Sequence, residues 1–111
     1  MTYRVKLQRL AASDLQAYFE YVAQFSRPDA IRWLDRFHAA MQTLDQRPDR
    51  CSWARENGLI DVELRELLFG KRPSVFRVIF TIDAETVRIL RIQRGQRSPL
   101  SRDELRDSLH P

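Results

Sequence analysis

The chain has 111 residues, 43% of them hydrophobic, which suits one folded domain spanning 1–111 and leaves too little for a second core. No run of eighteen apolar residues occurs, which excludes a membrane-spanning helix, and Met1–Lys6 lacks the apolar stretch of a signal peptide, so a cytoplasmic location is expected. The net charge of +4 is localised: residues 62–97 hold eight basic and four acidic side chains, and the rest of the chain balances.

Tyr3 to Leu7 alternates apolar and polar residues, the pattern of a half-buried strand. A helix is predicted from Ala11 to Phe25, with Leu15, Tyr18, Phe19, Val22 and Phe25 on one apolar stripe. Ser26 suits an N-cap, Pro28 a first turn, and Asp29 the positive helix end. The second helix should reach Gln46, with Ala30, Leu34, Phe37, Met41 and Leu44 as its packing seam and Pro48 as its stop. Trp33 and a half-buried His38 are expected to pack in this hairpin.

Residues 47–59 read as a polar loop, with Trp53 either anchoring it or meeting a partner. The lone Cys51 can form no internal disulfide, fits a reducing compartment and is expected to be inert. Three strands follow, Ile60–Phe69, Val75–Ile82 and Val87–Gln93, joined by links short enough to demand antiparallel hairpins. Ser101 with Glu104 three residues later forms a capping box, flanked by Leu100 and Leu105 as a hydrophobic staple, and opens a short final helix. The fold class is therefore α+β: an N-terminal strand and helical hairpin on a mainly antiparallel sheet, with a C-terminal helix.

Pairing Asp83 with Thr86 sets Ile82 against Val87, Phe80 against Ile89 and Val78 against Arg91. That face should pack under the helices. The other face would carry Arg77, Ile79 and Thr81 beside Arg88, Leu90, Ile92 and Arg94, a mixture of apolar and guanidinium groups suited to binding. A one-residue slip would exchange the faces. A plainer reading has these arginines solvate the outer surface and pair with Glu63, Glu66 or Glu85. Seventeen arginines against two lysines also favour carboxylate or phosphate partners; codon bias can raise that ratio but does not explain the clustering.

Leu64-Arg65-Glu66-Leu67, Gly70, Phe76 to Phe80, Val87 to Ile92 and Gly95-Gln96-Arg97, in that order after a strand and two helices, resemble the RelE/ParE superfamily over about residues 3 to 100. The resemblance implies a type II toxin wrapped and blocked by a cognate, acidic antitoxin, in a toxin–antitoxin hetero-oligomer. It also implies one of two targets. RelE-like members cut messenger RNA on the ribosome; ParE-like members bind and poison DNA gyrase.

RNA cleavage needs a base, an acid for the leaving oxygen, and cations for the phosphate. The resemblance offers Arg77 and Arg97 as phosphate cations, with Arg65 as a weaker match; Glu63 or Glu66 has the chemistry of a base. The acid is missing, because Ser98 to Asp103 contains neither tyrosine nor histidine, and Tyr3, Tyr18 and Tyr21 all lie in the first half. This favours the ParE-like branch, with Arg65, Arg77, Arg88, Arg94 and Arg97 as target-binding residues and no assured catalytic set. A basic nucleic-acid-binding domain is a third reading, weakened by the scarcity of aromatic residues among these arginines. No metal-ligand spacing and no glycine-rich phosphate loop occurs, so neither a metal nor another cofactor is expected.

Overall fold

The computed structural model describes residues 1–111 and contains four strands and three α-helices. They are β1 (Arg4–Leu7), α1 (Arg9–Ala23), α2 (Arg27–Gln42), β2 (Arg65–Phe69), β3 (Phe76–Asp83), β4 (Thr86–Arg94) and α3 (Arg102–Ser108). The sheet order is β1-β4-β3-β2, with β1 parallel to β4 and the other pairs antiparallel. No helix is long and apolar enough to cross a membrane.

The helical hairpin forms where the periodicity places it, with earlier ends. Helix α1 stops at Ala23, which leaves Phe25 outside the helix and 75% exposed. Ser26 caps α2 by accepting the Asp29 N–H at 3.3 Å. After Gln42 the chain tightens into 3-10 turns at Thr43–Asp45 and Pro48–Arg50, the usual way of closing off helix-end carbonyls. Ala30, Phe37, Met41 and Leu44 of the seam are buried, and Leu34 is half-buried. Trp33 meets Phe37 and Phe76 edge-on, whereas His38 is exposed rather than half-buried.

The first core lies between the hairpin and the sheet, where Phe37 and Met41 meet Phe76, Val78, Phe80, Val87, Ile89 and Ile92. A second core lies on the opposite face, where Ala54, Leu64, Leu100 and Leu105 cover Ile79 and Leu90. Strand β3 is thus sandwiched, and Phe76 to Thr81 are all buried. The apolar run Val78-Ile79-Phe80 is what such double burial requires, and Arg77 is buried beside it only with its charge paired.

Two expectations about the sheet are corrected here. The strand predicted from Ile60 begins only at Arg65. Residues 54–64 instead form a closed loop: Asn57 Oδ1 accepts the Leu64 N–H at 2.9 Å, and the Ala54 N–H donates to the Leu64 carbonyl at 2.9 Å. The apolar residues of that loop pack against the second core instead of pairing. The β3–β4 register follows the expected pairs from the turn to Phe80–Ile89. It then shifts at a bulge, so that Ile79 opposes Arg91 and Val78 opposes Ile92. The extra residue, Leu90, sends Ile92 into the first core rather than onto the outer face.

Candidate functional site

The face expected to display Arg77 is roofed over. Arg77 is 2% exposed and its neighbours explain how a guanidinium is held there. Its Nη1 and Nη2 donate to Glu56 Oε1 and Oε2 at 3.0 and 2.7 Å, a bidentate pair, and Nη1 also donates to Glu66 Oε1 at 2.8 Å. Glu56 Oε2 accepts the Leu100 N–H at 2.9 Å as well. One ion cluster therefore joins the 54–64 loop, β2, β3 and the start of the C-terminal segment. Only Arg77 Nε is buried without an acceptor.

Burial alone would raise the Glu56 carboxyl pKa. The hydrogen bonds from Arg77 and from the Leu100 N–H, with the Arg77 charge, outweigh it and hold the carboxyl below its ordinary value. Burial likewise opposes the Arg77 charge, and the bonds and charges of Glu56 and Glu66 overcome it, raising the guanidinium pKa. Arg77 stays charged, with three of its four Nη hydrogens donated to carboxylates.

The other arginines lie apart. Arg65, at the start of β2, donates to the carbonyls of Asp49 (3.1 Å) and Cys51 (2.6 Å) and stacks 3.8 Å over the Trp53 ring. Trp53 thus anchors its loop while remaining 48% exposed. Arg88 donates to Asp83 at 3.0 Å near the β3–β4 turn. Arg94 sits at the far end of β4, 5.6 Å from the Phe76 ring, and Arg97 is exposed with no side-chain partner. Six residues of strand separate Arg88 from Arg94, about 20 Å at the usual rise. The expected binding residues therefore do not converge on one point. Glu66 meets Arg77, and none of the others meet one another.

Two groups escaped the sequence reading. Glu56 lies in a loop with no periodicity to mark it as buried, and nothing in its neighbourhood in sequence announces its partner. Arg91 is bound by Asp14 of α1 through Nε at 2.7 Å and Nη2 at 3.0 Å, and Asp14 also accepts the Ile92 N–H. Arg91 is a helix-to-sheet clasp, and the hydrogen bonds it donates to Asp14 raise its pKa against the effect of burial.

Beside the ion cluster, an open groove of about 560 Å³ is lined by Arg55, Glu66, Leu68, Arg72, Pro73, Val75, Gly95 and Gln96, with the nearly buried Arg77 at its base. It contains no tyrosine or histidine. Tyr18 packs against Phe76 on the helical side, and His110 is at the chain end. Cys51 is buried, and burial raises its thiol pKa. No group of three His, Cys, Asp or Glu side chains is placed to hold a metal ion.

Comparison with known proteins adds to this geometry. A family model described as ParE toxin of type II toxin-antitoxin system, parDE, matches residues 5–99. The chain belongs to the ParE toxin family. No curated protein sequence matches it. Among solved structures, a chain titled "Chromosomal ParDE TA system from P. aeruginosa" superposes with a TM-score of 0.66 at 24% identity, over 84% of this chain and 96% of that one. That likeness concerns the fold: the ParE-type arrangement of helical hairpin and sheet. In this ParE-family chain the match ends at residue 99, one residue before Leu100, whose N–H Glu56 holds.

Proposed function

We propose that this chain arrests growth as a ParE-type toxin through protein–protein contact with DNA gyrase, and that an acidic cognate antitoxin neutralises it in a hetero-oligomer. The observation that carries the choice of target is the enclosure of Arg77. The Arg77 guanidinium on the central strand β3, which a RelE-like nuclease would need at a phosphate, is committed to Glu56 and Glu66 and is only 2% exposed. With no tyrosine or histidine in the adjoining groove, a proton donor for the leaving oxygen is lacking too. Arginine is a poor substitute because it hardly releases its proton.

Arg65, Arg88, Arg94 and Arg97 remain accessible to differing degrees and are proposed as contacts for the target, acting as separate anchors over a broad surface. Such contacts suit a large protein partner, since interfaces of ordinary size engage 20–30 residues a side. The ribosomal nuclease reading keeps Arg97 and Glu66 but loses Arg77 as a free cation. The cytoplasm, where gyrase works, is the proposed place of action.

Expression of the chain without an antitoxin tests this reading in cells. Growth arrest with induction of the DNA-damage response is the expected result. Arrest with halted translation and undamaged DNA would contradict it.

A further inference from the structure

The second core occupies only part of the outer face of the sheet. Leu100, Leu105 and the 54–64 loop cover Ile79 and Leu90, and the same face lies open at β1. Val5 and Leu7 pack towards the first core, so the alternation of the strand turns Arg4 and Lys6 the other way, where both are exposed. The parallel pairing sets Lys6 beside Arg88 and Arg4 beside Thr86. Like charges side by side on a sheet face repel one another, and Lys6 has no carboxylate partner to offset this.

An open pocket of about 550 Å³ lies there, and its walls include Tyr3, Arg4, Lys6, Gln42, Thr86 and Arg88. No carboxylate lines it, and Asp83 and Glu85 of the neighbouring turn stay outside. Asp83 takes Arg88 Nε at 3.0 Å and leaves the two Nη groups without a partner. The side chains of Tyr3, Gln42 and Thr86 make no hydrogen bond within the chain. All of these polar side chains can donate, and the guanidinium and ammonium groups can do nothing else. Such a set suits a ligand whose charged oxygens only accept.

We propose that this pocket holds the phosphodiester backbone of duplex DNA, with Arg4, Lys6 and the free Nη groups of Arg88 on neighbouring phosphates. Arg4 and Lys6 stand about 7 Å apart along β1, and Arg88 lies beside them on β4. A row of cations matches a row of anions, and a duplex presents a charge about every 1.7 Å of its axis. An isolated carboxylate would satisfy one of the three and leave the others repelling. Backbone contacts of this kind carry no sequence information, so binding is expected to be indifferent to sequence. Single strands fit less well, because the one ring of the pocket, Tyr3, packs against the first core and is not free to stack on a base. That the duplex is the DNA on which gyrase acts rests on the toxin reading above; the chemistry of the pocket does not.

Fluorescence anisotropy of a labelled duplex of about twenty base pairs, titrated with the full chain at several salt concentrations, tests the pocket. Arg4→Gln with Lys6→Gln should reduce the slope of log affinity against log salt by about 1.8, so that between about 50 and 200 mM salt the native chain loses about twelvefold more affinity than the variant. Both side chains are exposed and unpartnered, so the double variant keeps the fold. Arg27→Gln with Arg36→Gln removes the same charge from exposed positions of α2 and should leave the slope unchanged. Inorganic phosphate at matched ionic strength should not displace the duplex; displacement would assign the pocket to the free ion. Absence of duplex binding, equal slopes for the two double variants, or tighter binding of polyglutamate or of a single strand of the same length would each overturn the proposal. A chain that arrests growth but binds no duplex loses the pocket and keeps the toxin reading. A chain harmless in cells whose duplex binding depends on Arg4 and Lys6 keeps the pocket and loses the toxin reading.

Discussion

Arg77 shows how a single buried charge changes role with its partners. On a strand facing solvent it would be a binding residue; between Glu56 and Glu66 it is a structural tie. Removing one member of a buried pair leaves an uncompensated charge, which typically costs about 3–5 kcal/mol. Arg77→Met should therefore destabilise the fold by about that amount in chemical denaturation, and Glu56→Gln combined with it should recover part of the loss. Arg77→Lys should restore little, because an ammonium lacks the planar fork that spans both Glu56 oxygens. The pH dependence has a definite sign. The Glu56 carboxyl is held below its unfolded value of about 4.3, so its contribution is fully present above that pH. It is lost as pH falls through the folded value. Wild-type stability should drop along this acid limb, and Glu56→Gln should flatten it; an unchanged limb in the variant would remove Glu56 as its source.

At the scale of elements, both departures from the sequence reading have physical causes visible in particular residues. The hairpin register was legible from the turn as far as Phe80–Ile89, because a two-residue link sets the pairing. The bulge beyond it left one trace: buried residues of β4 facing the helices run Val87, Ile89, Ile92, a step of two and then of three. A strict period of two carried Arg91 inward and Ile92 outward instead. The helices were legible from their stripes and from Ser26 and Ser101, whose caps both form. The roof over the second face was not, because residues 54–64 fold through the Asn57 side chain and Gly58 at φ +101°, neither of which has a periodic signature. The apolar run from Val78 to Phe80 was the available hint, since a strand facing water on one side does not need it. Helix α3 completes the roof through Leu105, which is fully buried. Leu105→Ala should cost about 2–5 kcal/mol, and Ser101→Ala about 1 kcal/mol through loss of the cap. Amide exchange should accelerate first in residues 98–111 in both variants; uniform acceleration across the sheet would show that α3 does not dock as a separate layer.

For the whole molecule, the excess positive charge of residues 62–97 divides into internal ties and surface anchors. Arg77 and Arg91 serve packing, while Arg72, Arg94 and Arg97 have no carboxylate partner. The family match makes the chain a ParE toxin, and action by contact with gyrase instead of RNA cleavage is the reading proposed above. The most direct test presents the purified chain with purified DNA gyrase and relaxed plasmid, and in parallel with translating ribosomes carrying a defined messenger RNA. Inhibited supercoiling or trapped cleaved DNA, with the messenger RNA intact, is the result this account expects. Cleaved messenger RNA with unimpaired supercoiling would contradict it.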